Sequence, residues 1–338
     1  MKSHFVKLKK PTKSAVYDTY WKFAVKRNEV FHRRLTDSYG PWTDDPVIRD
    51  HRFTNVFRAS DRVSQFLIQL QYQHDLDDQN IFFQTLLFKI FNKIETFNYL
   101  EKHLGHISSQ TFFIKDYDDL LTYRMASKYT IYSAAYIMPS AGRTFGYKYK
   151  HTNHLALLRQ MLDDELFVKI TDAKSLEEVY KMLLSYPSLG TFLAFQYAID
   201  LNYSRILNFS EMDFVVAGPG AKNGIYKCFD SLGDYSYEDI IKLMADEQTD
   251  ECDRLGLIPP TLVGRHLQLI DCQNLFCEVD KYLRVTNPDL NAASGKSRIK
   301  QKFSSAKAPI DLFFPPKWNI NDQLGELCQK TSNADIFL

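Results

Sequence analysis

Cysteine is scarce in this chain and carries no pattern. Cys228, Cys252, Cys272, Cys277 and Cys328 are the only five among 338 residues, no two form a CxxC pair, and the count is odd. A zinc ribbon and a cysteine-ligated iron–sulfur cluster are therefore excluded, and a reduced, cytoplasmic protein is expected. No apolar run reaches membrane-spanning length, and the first residues lack a signal-peptide core, so a soluble chain with no membrane partner is predicted. Net charge is nearly absent as well. The 42 Lys and Arg against 41 Asp and Glu leave +1, which argues against a histone-like binder. Strand-like alternation and internal repeats are also wanting.

What is present is apolar mass with a helical period. Hydrophobic residues make up 45% and charged residues 25%, enough for a sizeable core in one large or two modest domains. Phe66, Leu67, Leu70 and Gln71 share a helical face. Residues 81–100 (IFFQTLLFKIFNKIETFNYL) are apolar nearly all round and predict one central, buried helix. Residues 116–125, 155–167, 191–203, 237–246 and 267–284 read as further helices. Residues 175–184 open on Ser175 with Glu178 three positions on, a capping-box signature. The expected fold is mainly α. A basic N-terminal arm (1–18) precedes a helical module (19–285), and a basic C-terminal extension (286–338) follows, anchored by Leu312, Phe313, Phe314 and Trp318.

The charge is unevenly spread. Lys2, Lys7, Lys9, Lys10 and Lys13 precede the first acid, Asp18, and Lys296, Arg298, Lys300, Lys302 and Lys307 lie in an acid-free stretch. Two basic arms on a near-neutral body suit a polyanion. Residues 41–64 concentrate Trp42, His51, Asn55, four acids and four arginines. Arginines interleaved with aromatics suit phosphate and base contacts. A charged crossover stapled by Arg–Asp pairs would use the same residues.

A helix ending near Ser185, the turn Tyr186-Pro187-Ser188-Leu189-Gly190 and a helix from Thr191 form an αα-hairpin. Backbone N–H groups at Ser188, Gly190 and Thr191 can hold one DNA phosphate. Asp213 follows about twenty residues later. It is placed either to act at a deoxyribose or simply to cap the chain. The stretch GPGAKNG (218–224) fails as a P-loop, since no Lys-Ser/Thr follows, and reads as a turn between helices with Lys222 as a point charge. The pairs His151/His154 and His103/His106 lack a third ligand and read as surface histidines, so no metal is expected.

The hairpin resembles the L-P-G-[IV]-G pattern of helix-hairpin-helix DNA glycosylases, with Tyr186 for the Leu, Ser188 for the first Gly, and Phe192 where lyase-competent members carry a Lys. The segments PWTDDPVIRDHRFTNVFRASDR (41–62), LLFKIFNKIETF (86–97), FLAFQYAIDLNYS (192–204), DFVVAGPGAKNGI (213–225) and LFCEVDKYLR (275–284) resemble the α-glutamyl/putrescinyl thymine pyrophosphorylase family. Its helical domain is also called the 5-hydroxymethyluracil DNA kinase helical domain. The family is related to helix-hairpin-helix glycosylases and includes an anti-phage branch that removes glucosylated hydroxymethylcytosine.

The resemblance implies a two-lobed glycosylase-like fold and double-stranded DNA with a modified pyrimidine as partner. It implies no cofactor. The activity expected is monofunctional, hydrolytic excision of a flipped base, with Asp213 catalytic. Asn92, Lys93, Glu95, Arg58 and Asn55 would form the base pocket. Ser188, Gly190, Thr191, Arg52, Arg62, Lys222 and Lys281 would hold DNA. The alternative is a hypermodification transferase that replaces a pyrophosphorylated hydroxymethyl group on thymine with an amine.

Overall fold

A computed structural model describes residues 8–37, 39–73, 76–291, 298–299, 301–304, 310–325 and 327. Among them the helices are α1 (Asp18–Thr36), α2 (Pro46–Asp50), α3 (Arg62–Gln71), α4 (Asp78–Phe91), α5 (Ile94–Leu104), α6 (Ile114–Ala126), α7 (Gly142–Phe145), α8 (Lys150–Asp163), α9 (Leu166–Thr171), α10 (Leu176–Leu184), α11 (Thr191–Tyr203), α12 (Pro219–Cys228), α13 (Tyr237–Asp246), α14 (Gln248–Arg254) and α15 (Leu269–Thr286). The only named strands among them, β1 (Thr12–Lys13) and β2 (Phe229–Ser231), pair antiparallel. The mainly α expectation therefore holds. No described helix is long and apolar enough to cross a membrane. Lys2, Lys7, Lys296, Lys300, Lys307 and Cys328 lie outside the described residues.

The chain divides into two compact units, each discontinuous in sequence. Unit 1 comprises 1–61, 215–312 and 319–338, and unit 2 comprises 62–214 and 313–318. In unit 1, α15 is the central rod. Its buried stripe runs from Leu269 to Leu283, and α1, α2, α12 and α13 pack around it. Tyr20 lies against Phe276 with ring centroids 4.5 Å apart and donates its hydroxyl to the Cys272 carbonyl at 3.1 Å. α12 approaches closest, and its glycines are the reason. A Cβ on Gly224 would sit 2.1 Å from the Phe276 carbonyl oxygen, and one on Gly220 would sit 2.8 Å from Cys277 Sγ. The stretch read as a turn, 218–224, is thus mostly the first two turns of α12, with Gly218 as N-cap and Pro219 behind it.

The basic arm is partly spoken for in unit 1. Lys13 pairs with Glu251 and lies over the Tyr17 ring. At the other end, residues 301–303 run antiparallel beside 50–52. Arg52 N–H donates to Gln301 at 3.0 Å and Phe303 N–H to Asp50 at 3.1 Å.

In unit 2, α4 and α11 form the interior. Every α4 position from Asn80 to Phe91 is buried. The predicted helix over 81–100 is broken into α4 and α5, because Asn92 caps α4 with φ +48° in the left-handed region. Phe66, Phe88 and Phe97 cluster across this break. Each fully buried aromatic contributes about 1.5–3 kcal/mol by leaving water. α10 begins as predicted, the Ser175 hydroxyl accepting from Glu178 N–H at 3.2 Å. Trp318 packs edge-on against Tyr203, and the Lys317 ammonium donates to the Ser204 and Leu207 carbonyls at 3.0 and 2.6 Å. That short segment closes the C-terminal end of α11.

Candidate functional site

The motif segments contribute to two groups, one in each unit, with 41–62 and 213–225 crossing the division at one end. In unit 2, residues 86–97 meet 192–204. The Lys89 ammonium lies 2.9 Å from the Asp200 carboxylate and donates to Asn92 Oδ1 at 2.9 Å. Lys89 is 4% and Asp200 1% exposed. A buried charge persists only when paired and hydrogen-bonded, and both conditions are met. Tyr136 covers the ammonium at 4.9 Å from its ring centroid, and Phe192 stacks parallel on Tyr136 at 5.7 Å. Gln71 bridges Thr85 Oγ1 and the Asp200 carbonyl at 3.0 and 2.8 Å. The result is a buried ion pair beneath two stacked rings.

In unit 1, residues 41–62 meet α15. Arg58 N–H donates to Asp271 at 2.7 Å and Thr54 N–H to Glu278 at 3.0 Å. The Lys281 ammonium reaches Glu278 at 2.5 Å, and the Tyr282 hydroxyl donates to Asp45 at 2.7 Å. Arg27 of α1 donates to Asn55 Oδ1 at 2.6 Å, and Asn55 N–H donates to Asp61 at 2.8 Å. Burial pushes the Asp61 carboxyl up to about 6, against the pull of the Asn55 N–H and the Arg27 charge. The segment is thus tied to α1 and α15, largely through backbone N–H groups held by carboxylates. Beside it opens a cleft of about 290 Å³ lined by Arg27, Trp42, Arg49, His51, Phe53 and Phe303 among others.

The residues selected from sequence are distributed as follows. Asn55 and Arg58 lie in unit 1, whereas Asn92, Lys93 and Glu95 lie in unit 2. Arg58 and Asn92 are buried, and Lys93 donates to the Thr130 carbonyl at 2.7 Å. Glu95 faces Arg62 at 3.6 Å on the surface of unit 2. Arg52 and Lys222 are exposed, and Lys281 is tied to Glu278. The αα-hairpin is present. Ser188 adopts φ +67°, and nothing lies within 4 Å of a Cβ built on Gly190. Asp213 occupies an exposed turn, while its neighbour Phe214 packs on Tyr180 and Phe195. Sequence reasoning passed over Lys89, although a lysine amid LLFKIF announces a buried partner, and over Arg27.

The expectation of surface histidines fails at one pair. His151 and His154 are buried. His154 Nε2 donates to the Pro139 carbonyl at 2.7 Å, leaving Nδ1 to accept from the Tyr132 hydroxyl at 2.9 Å. Burial lowers His154 to about 4. Since the unfolded value is near 6.5, this neutral imidazole stabilises fully above pH ~6.5, and about 3 kcal/mol is lost as pH falls through 4. Asp61 has the opposite sign, stabilising below pH ~4 and no longer doing so above about 6. On lowering the pH from 7.5 to 5, the urea midpoint of the parent chain should therefore fall relative to that of His154→Gln. Equal pH dependence would refute the assignment. Among the described residues, no cluster of three or more His, Cys, Asp or Glu is placed to hold a metal.

The motif segments of this helical protein thus pair into two polar clusters, one of which holds a lysine–aspartate ion pair beside aromatic rings. The chain belongs to the family described as "5-hmdU DNA kinase, helical domain", whose family model matches residues 14–292. It is 29% identical over 321 residues to a protein of Bacillus phage SP10 named 5-hmdU DNA kinase, covering 87% of this chain and 49% of that protein. The chain thus spans about half the length of the curated relative it matches. No solved structure matches.

These findings correct the functional expectation. A family and a relative named for a DNA kinase overturn hydrolytic excision of a flipped base and its anti-phage setting. The role of Asp213 as a glycosylase carboxylate falls with that reading. Of the two activities weighed from sequence, the hypermodification transferase is the nearer.

Proposed function

We propose that this chain works in DNA hypermodification, as the DNA-handling helical part of a kinase for 5-hydroxymethyluracil in DNA. In that reaction the hydroxymethyl oxygen forms a bond to phosphorus, its proton leaves, and the phosphoryl donor departs one phosphoryl group shorter. The glycosidic bond stays intact. The observation that carries the reading is the family match over 14–292, together with a relative named for that activity.

The glycines of 218–224 serve contact between α12 and α15, so the phosphoryl donor is not assigned to them. The open αα-hairpin at Ser188, Gly190 and Thr191 is the proposed helix-hairpin-helix phosphate contact in unit 2, and exposed Arg52 and Lys222 are proposed backbone contacts in unit 1. The test is binding to duplexes that carry thymine or 5-hydroxymethyluracil, in the presence and absence of ATP. Preferential retention of the hydroxymethylated duplex, or phosphate incorporation into it, is expected. Equal, negligible binding with no incorporation would reject the reading.

A further inference from the structure

Residues 120–162 contain no Asp or Glu but hold Arg124, Lys128, Arg143, Lys148, Lys150 and Arg159, together with Tyr123, Tyr129, Tyr132, Tyr136, Tyr147 and Tyr149. Folding gathers most of them at one end of the α6–α8 pair in unit 2. Thr122 Oγ1 lies 3.0 Å from His151 Nε2, and Thr152 bonds Asp118, so the C-terminal end of α6 lies beside the N-terminal end of α8. Tyr123, Tyr129, Tyr147 and Tyr149 are 70%, 62%, 49% and 39% exposed there. The Arg124 guanidinium sits over Tyr99 at 4.4 Å and Tyr129 at 5.2 Å, and the Lys150 ammonium sits over Tyr132 at 4.4 Å. Among the described residues, Lys128, Arg143, Lys148 and Lys150 have no acidic partner. The nearby acids of α6 are engaged, Asp118 with His151 and Asp119 with Lys115. α8 starts with no acid in its first turn and no side-chain cap, so its dipole adds positive potential at the same end.

We propose that this face binds a DNA strand with unpaired bases, the exposed tyrosines stacking on bases and the lysines and Arg143 lying along phosphates. Solvated tyrosine rings cost free energy unless covered, and a charged protein surface would not match unpaired cations alternating with rings so well as a polyanion of flat heterocycles. The inference rests on the DNA-acting reading above and adds where the strand lies and in what form. Phosphate contacts give a salt-dependent term, and stacking gives a salt-independent one. Each can be removed alone.

The experiment measures fluorescence anisotropy of labelled oligothymidine and of a duplex over a salt series, with the parent chain, Tyr147→Ala/Tyr149→Ala, Lys148→Ser/Lys150→Ser and the distal control Lys169→Ser. The parent should prefer the single strand. The tyrosine variant should bind it at least tenfold more weakly with an unchanged salt slope. The lysine variant should lose about 1.4 from the slope of log affinity on log salt. Lys169→Ser should match the parent. A parent that binds DNA while both double variants bind as it does would overturn this surface and leave the functional reading standing. A parent that binds no DNA of either form would overturn both.

Discussion

Asp200→Ala should lower the unfolding free energy by about 3–5 kcal/mol, because it leaves the Lys89 ammonium buried without its carboxylate. The separation of 2.9 Å and the near-zero exposure of both groups place the pair in the interior of unit 2, between α4 and α11. Water cannot replace the lost partner there. Removing both charges is a different matter. Lys89→Met with Asp200→Leu exchanges a desolvated ion pair for apolar volume and should recover most of the loss. Urea unfolding of the parent, the two single variants and the double variant closes the cycle. Additive losses would show that the pair is not coupled.

Gly224→Ala should be strongly damaging to unit 1. Its Cβ would stand 2.1 Å from the Phe276 carbonyl oxygen and 2.7 Å from the carbonyl carbon. Both belong to the backbone of α15, so no side chain can turn aside. Overpacking of this kind costs roughly 1–3 kcal/mol where neighbours can adjust, and a helix backbone adjusts least. A loss at or above the upper end is expected by thermal or urea unfolding, with α12 and α15 forced apart. The same steric cost is absent at Gly190, where nothing lies within 4 Å. A Gly224→Ala chain as stable as its parent would contradict the close approach.

Helices with an apolar stripe or a bounded apolar run were legible before any coordinates. Residues 191–203 and 237–246 coincide with α11 and α13, and the Ser175 cap marks the start of α10. The failures have physical causes. A break at Asn92 hides inside an apolar run because the run says nothing of a left-handed cap. Gly220 and Gly224 are four apart, the spacing of one helical face, yet glycine and proline together suggest a turn. His151 and His154 look solvated by type but are satisfied by Thr122, Tyr132 and Pro139.

Lys89 and Asp200 are 111 positions apart, and nothing local announces their pairing. The composition of each unit is equally hidden. α1 joins α15 across most of the chain, and 313–318 returns to unit 2. The family resemblance located the right segments. The chemistry first attached to them, excision, came from the glycosylase side of that resemblance and not from the residues themselves.

Nucleoside mass analysis after incubation of 5-hydroxymethyluracil DNA with ATP and this protein tests the central claim most directly. The account predicts that every deoxynucleoside keeps its base, with no abasic sites, and that any mass gained is one phosphoryl group at the hydroxymethyl oxygen. Free 5-hydroxymethyluracil released alongside abasic DNA would contradict it.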